Sequence, residues 1–329
     1  GALVEHLPLA LTLTTGVRLL ATIASMDVLR TPESAFAGLP DWPYEPVYTD
    51  VTAHDGTTLC VHHVDVGPND ASETILCMHG EPTWAYLYRT MIPVFVSAGH
   101  RVIAPDLVGF GRSDKPAKMT DHTYERHVDW MSQWLLANNL HNLTLVCQDW
   151  GGLIGLRVAM ALPQRFARIV VANTGLPTGD PEPNEAFLKW REFSQKVDPF
   201  PTSAIIQGGC TSKPLAPEVL AAYDAPFPSE EYKAGPKIMP SLVPASLNDP
   251  SSKPNRDAWE VLRSWTKPLV TMFGDSDPVT RNGEWIFRKS VPGAAGMPHR
   301  TIEGGGHFLQ EDRGPEFASA VNAFVAKTH

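Results

Sequence analysis

Cysteine is scarce in this 329-residue chain, with four residues at positions 60, 77, 147 and 210. None are spaced C-x-x-C, which argues against a zinc ribbon or a thioredoxin-type redox site. Cys60, Cys77 and Cys147 lie in apolar, strand-like runs. They read as reduced, buried thiols that pack as small hydrophobes, consistent with a reducing compartment. Positive charge is also short: 27 Lys and Arg stand against 36 Asp and Glu, a net charge of −9. Such a surface repels phosphate backbones, so nucleic acid is not an expected partner. There is no internal repeat, no low-complexity block and no G-x-G-x-x-G. The glycines at 151, 152 and 155 miss that spacing, and Asn173, not an acid, ends the following strand. A dinucleotide site is therefore disfavoured.

A clean membrane span is missing too. Residues 7–25 are apolar, but Arg18, Pro8 and Gly16 interrupt them. A secretory signal would need a basic start, and Glu5 stands there instead. Residues 1–25 are expected to be an N-terminal extension of a cytoplasmic protein. A membrane-associated or exported form is the alternative left open.

What is present is an ordinary globular composition, with 43% hydrophobic and 19% charged residues, which excludes a disordered or fibrous chain. Residues 47–53 and 58–66 flank His54-Asp55-Gly56 and predict a hairpin. Buried-type strands follow at 74–78, 101–104, 144–148, 168–173, 268–273 and 299–302. In 123–139, Tyr124, Val128, Met131 and Leu135 fall on one helical face. Strands alternating with helices predict a mostly parallel sheet with an antiparallel start and helices on both faces. Between 178 and 255 the alternation stops, over a length too great for a simple connection. We expect a core domain made of 26–177 and 256–329, with 178–255 as an inserted helical cap domain.

The most informative string is Val146-Cys147-Gln148-Asp149-Trp150-Gly151-Gly152. It places Asp149 at a sharp strand-to-helix turn, where nucleophile elbows carry Ser in G-x-S-x-G. Asp149 could equally be a plain helix cap, a common role for Asp. Three further strings shift the balance. His79-Gly80-Glu81-Pro82 follows the strand 74–78 and can aim backbone N–H groups at the elbow. Asp277 follows the strand 268–273, and His307 follows the last strand within Gly304-Gly305-Gly306-His307-Phe308. Nucleophile, acid and histidine then occur in the chain order of this kind of fold.

HGEP at 79–82, APDLVGFGRSDKP at 104–116, QDWGG at 148–152 and GGGHF at 304–308 resemble the haloalkane dehalogenases of the α/β-hydrolase superfamily. The resemblance runs from about Met26 to the C-terminus. It implies an α/β-hydrolase fold that cleaves carbon–halogen bonds through an alkyl ester on Asp149. His307 would be the general base and Asp277 the acid that orients it. The backbone N–H groups of Glu81 and Trp150 would form the oxyanion hole. An acid after the strand 268–273 resembles the subfamily that binds halide with two tryptophans. Trp150 is the first candidate, since an indole N–H only donates. Trp190 is the second, as the only tryptophan between 178 and 255. Phe187, Phe193 and Phe308 are candidate pocket residues or simple core. The expected partners are a small halogenated aliphatic substrate, water and halide, with no metal or organic cofactor, acting on a monomer. The alternative is an epoxide hydrolase of the same fold, which would protonate the leaving oxygen through cap tyrosines; Tyr223 and Tyr232 are available. A serine esterase is disfavoured because Asp149 occupies the elbow.

Overall fold

A computed structural model describes residues 25–328. The N-terminal extension, apart from Ser25, and with it any membrane association, lies outside the described residues. In chain order the strands are β1 Val28–Leu29, β2 Val47–Thr52, β3 Thr58–Val66, β4 Thr74–Met78, β5 Arg101–Pro105, β6 Lys115–Pro116, β7 Leu143–Gln148, β8 Phe166–Ala172, β9 Leu269–Gly274 and β10 Arg300–Ile302. The α-helices are α1 Ile92–Ser97, α2 Tyr124–Ala137, α3 Trp150–Ala161, α4 Glu185–Lys196, α5 Thr202–Gly209, α6 Pro217–Asp224, α7 Ala234–Leu242, α8 Ser252–Leu262, α9 Glu284–Ser290 and α10 Leu309–Lys327.

The main sheet runs β10-β9-β8-β7-β4-β5-β3-β2. β2, β3 and β5 pair antiparallel, and every pairing from β5 through β4 to β10 is parallel. This is the mixed sheet of an α/β-hydrolase fold. Strands covered on both faces read as continuous apolar runs; all six residues of β7 are buried. Two hydrophobic clusters lie on either side of the sheet's central strands.

β4 is flanked by β5 on one side and β7 on the other, so the strand order reverses there. Ligands in open α/β sheets bind at such a switch point, beyond the strands' C-terminal ends. The turns that leave β4 and β7 carry HGEP and QDWGG. Helices α4 to α8 occupy the long excursion between β8 and β9. The expected end of this insertion, residue 255, falls inside α8, which continues to Leu262 and packs on α3.

Candidate active site

Asp149 sits between β7 and α3 with φ 50° and ψ −129°. A non-glycine residue rarely takes that conformation, so the surroundings must hold it there. Its N–H donates to Asn173 O at 3.0 Å, and its own carbonyl accepts from Gly152 N at 2.9 Å and Leu153 N at 3.1 Å. The Thr174 hydroxyl donates to the same carbonyl at 2.7 Å. The glycines after Asp149 are needed for space. A Cβ on Gly151 would lie 2.1 Å from Met78 O, and one on Gly152 2.1 Å from Thr174 Oγ1.

The β4 turn approaches from the neighbouring strand. Glu81 N–H donates to Asp149 Oδ1 at 2.8 Å. His79 holds this turn from behind: its Nε2 accepts from Leu107 N at 2.9 Å, and its Nδ1 lies 3.0 Å from Gly80 O. The Trp150 N–H makes no hydrogen bond to either carboxylate oxygen of Asp149. Glu81's own side chain is buried, and Oε1 has no partner among the described residues. Burial, aided by the charge of Asp149, pushes its pKa well above the usual carboxylate value.

His307 completes the arrangement. Its Nδ1 lies 2.9 Å from Asp277 Oδ2, and its Nε2 lies 3.4 Å from Asp149 Oδ2. Asp277 is 1% exposed. It also accepts from Val279 N at 2.9 Å and from the Thr280 hydroxyl. Burial alone would raise its pKa, but the charge of His307 and these hydrogen bonds hold it below the ordinary value. Burial likewise opposes the charged form of His307. The charge of Asp277 and hydrogen bonds to Asp149 and Asp277 outweigh this, and the imidazole's pKa stands well above its usual 6.5.

Three side chains with no role assigned from the sequence fix the His307 loop, Gln148 within QDWGG and Asn173 and Asp312 outside any motif. Gln148 Nε2 donates to His307 O at 3.0 Å. Asn173 Nδ2 donates to Gly306 O at 2.7 Å, and its Oδ1 accepts from Gly274 N at 2.8 Å. Asn173 thus ties the ends of β8 and β9 to the histidine loop. Its only sequence signal is a polar residue closing a buried apolar strand. Asp312, on the first turn of α10, accepts from Gly306 N at 2.8 Å.

The three groups open into a cavity of about 1160 Å³ between the sheet and the insertion. This is large against the roughly 300–1,000 Å³ of ordinary small-molecule sites. Phe187, Phe193, Phe308, Trp150 and Trp190 all line it. The cap Asn184 sets the start of α4, accepting from Phe187 N at 2.9 Å, and so orients the helix that carries Trp190. Trp259 lines the cavity too, but its indole N–H donates to Leu176 O at 2.7 Å. The indole N–H groups of Trp150 and Trp190 have no acceptor among the described residues.

The tyrosines of the epoxide-hydrolase alternative are elsewhere. Tyr223 is fully buried and donates to the Glu311 carboxylate. Neither Tyr223 nor Tyr232 lines the cavity. With no phenol to protonate a leaving alkoxide, that alternative is not favoured.

Known proteins agree with this geometry. A family model described as alpha/beta hydrolase fold matches residues 73–203. A haloalkane dehalogenase of Psychrobacter cryohalolentis is 53% identical over 300 residues, spanning 91% of this chain and 98% of the relative. Another, of Mycolicibacterium paratuberculosis, is 49% identical over 90% of this chain and 97% of its own. Among solved structures, the tetrameric haloalkane dehalogenase DpaA from Paraglaciecola agarilytica NO2 superposes with a TM-score of 0.83 at 38% identity, covering 90% of this chain and 97% of that one. Relatives this similar, matched over nearly their whole length, show that the chain belongs to the haloalkane dehalogenases, hydrolases that act on carbon–halide bonds.

Proposed function

We propose that Asp149 is the nucleophile, His307 the general base and Asp277 the acid that orients it. The observation that carries this reading is the continuous Asp149–His307–Asp277 contact at 3.4 and 2.9 Å. Oδ1 of Asp149 is held by the Glu81 N–H, which leaves Oδ2 to attack. Oδ2 forms a bond to the substrate carbon as the carbon–halogen bond breaks, and halide departs with the electron pair. A carboxylate needs no prior deprotonation, so this step asks only for alignment and exclusion of water.

The ester is then hydrolysed. His307 Nε2 takes a proton from water as its oxygen bonds Asp149 Cγ, and the carbonyl Oδ1 becomes the oxyanion facing the Glu81 N–H. Collapse breaks the Cγ–oxygen bond to the alkyl group, whose oxygen takes the proton held on His307 Nε2 and leaves as alcohol. The new carboxyl then gives up its proton, so the carboxylate is restored and one proton is released per turnover. Electrostatics suits this order. The raised pKa of His307 depends in part on Asp149. Esterification neutralises Asp149, which lowers the imidazole's proton affinity when a neutral base is required.

For the halide we propose the indole N–H groups of Trp150 and Trp190, supported by their lining the cavity without another acceptor. The α4–α8 insertion is the cap that sets substrate size, with Phe187, Phe193 and Phe308 in the wall. The proposed catalytic set is complete within one chain, so a monomer suffices for the chemistry; the similar DpaA is described as a tetramer. Among the described residues no helix is long and apolar enough to cross a membrane. Four free, buried thiols support a reducing, cytoplasmic location. The test of the central role is bromide release from 1-bromobutane: Asp149→Ala abolishes it under this reading, and retained release contradicts it.

A further inference from the structure

The insertion and the His307 loop are stitched together at one buried carboxylate. Asp312 is 7% exposed. Its oxygens accept from three backbone N–H groups: Ser212 at 2.7 Å, Thr211 at 2.9 and 3.0 Å, and Gly306 at 2.8 Å. Thr211 and Ser212 belong to the insertion, and Gly306 immediately precedes the general base. No cation pairs with Asp312 among the described residues. Its charge is met by those N–H dipoles alone, a donor set that suits a carboxylate and leaves no place for an amide's N–H. Two further links lie alongside. His307 N–H donates to Gly209 O at 2.8 Å, and the Thr211 hydroxyl donates to Gly304 O. A side chain on Gly306 would meet Gly209 O at 2.4 Å, so the two segments run in close contact. The preceding residue makes a similar bridge: Glu311 pairs with Arg89 of the core, Nη2 to Oε2 at 2.9 Å, and accepts from Tyr223 on α6.

We infer that Asp312 is a positioning residue that makes the placement of His307 depend on the seating of the insertion. The inference rests on the roles proposed above for Asp149 and His307. The core holds the His307 loop through Gln148 and Asn173; the insertion reaches it through Gly209 O and through Thr211 and Ser212, which share Asp312 of α10 with Gly306. Loosening the second attachment displaces the base, not the nucleophile. Asp149 and its Glu81 donor lie on β7 and β4 turns that Asp312 does not touch. The cost therefore falls on ester hydrolysis, where Nε2 must meet a water, and spares halide displacement. Misplacement of a reacting group by about 1 Å can cost on the order of a hundredfold.

Full-length Asp312→Asn tests this with 1-bromobutane by rapid mixing and steady-state kinetics. The bromide burst counts competent sites, so loss of folded protein is separated from loss of function. The expected result is an unchanged burst rate per site and a kcat lower by about tenfold or more. KM falls in proportion, kcat/KM is retained and butyl ester accumulates on Asp149. Thr211→Val, which removes only the hydroxyl link to Gly304, moves the same quantities less and in the same direction. A variant whose kcat per site and KM match the parent overturns the inference, as does one whose burst rate falls with kcat. His307→Ala run in parallel separates the two readings. If it traps ester while Asp312→Asn behaves like the parent, only the positioning role fails. If it traps none, the roles of Asp149 and His307 fail first.

Discussion

The imidazole Nε2 of His307 lies 3.4 Å from Asp149 Oδ2, so the proposed base of the second half-reaction rests against the nucleophile of the first. The two cannot work at once. Under the proposed roles, the imidazole is called on once the carboxylate has become an ester and no longer holds it.

This ordering fixes the pH dependence. In the free enzyme the His307 pKa is raised well above 6.5, and Asp149 supplies part of that increase. In the ester that part is gone, so the pKa that limits hydrolysis is lower than that of the free enzyme. Hydrolysis needs the neutral imidazole and rises with pH through the ester-state pKa. Alkylation does not need it. Lowering the pH is expected to slow steady-state turnover while the bromide burst keeps its rate and amplitude. Stopped-flow halide detection across pH checks this; a burst rate that falls in step with turnover contradicts it.

Halide affinity should depend on Trp190. A hydrogen bond to a charged group is worth about 1.5–3 kcal/mol. Trp190→Phe is therefore expected to weaken bromide binding by roughly tenfold or more, read from quenching of tryptophan fluorescence. Trp259→Phe, whose parent N–H is committed to Leu176 O, should leave the bromide titration unchanged.

Much of this site is legible in the amino-acid sequence. HGEP, QDWGG and GGGHF are contiguous strings at strand ends, and local turn geometry confines each to a few residue types. The antiparallel hairpin and the parallel strands are legible for the same reason, with ends displaced by only a residue or two. The attachments of His307 are not. Asn173 and Asp312 carry no motif, and Gln148, though inside QDWGG, holds His307 through a contact that exists only once the strands and α10 are packed. The tryptophans mark the same boundary. Trp190 stands out as the only one between 178 and 255, yet Trp259 lies just past that limit and also lines the cavity. The bond from Trp259 to Leu176 O and its deeper burial distinguish the two.

The turn after β4 yields a contrasting pair of variants. Burial and the charge of Asp149 raise the pKa of Glu81. Glu81→Gln keeps the side chain's size and the backbone N–H to Asp149, and Oε1 has no partner to lose among the described residues, so kcat should stay within about threefold of the parent, under 1 kcal/mol. Gly80→Ala places a Cβ 2.3 Å from Asp149 Oδ1. It should lower kcat/KM by on the order of a hundredfold or more. Equal losses in the two variants would show that the Glu81 side chain acts as an anion.

Substrate length follows from the cavity. A volume of about 1160 Å³ leaves room well beyond a four-carbon chain. Each buried methylene contributes about 0.8 kcal/mol. With two more methylenes to bury, 1-bromohexane should surpass 1-bromobutane in kcat/KM by on the order of tenfold. A flat or falling series would mean that the wall formed by Phe187, Phe193 and Phe308 closes on short chains.

The covalent ester on Asp149 is tested most directly by intact-mass and peptide-mass analysis of His307→Ala after mixing with 1-bromobutane. The account predicts one butyl group per chain, in place of one proton, carried by the peptide that contains Asp149 and absent when Asp149→Ala is added. Bromide release without any such adduct, or an adduct on another residue, would contradict it.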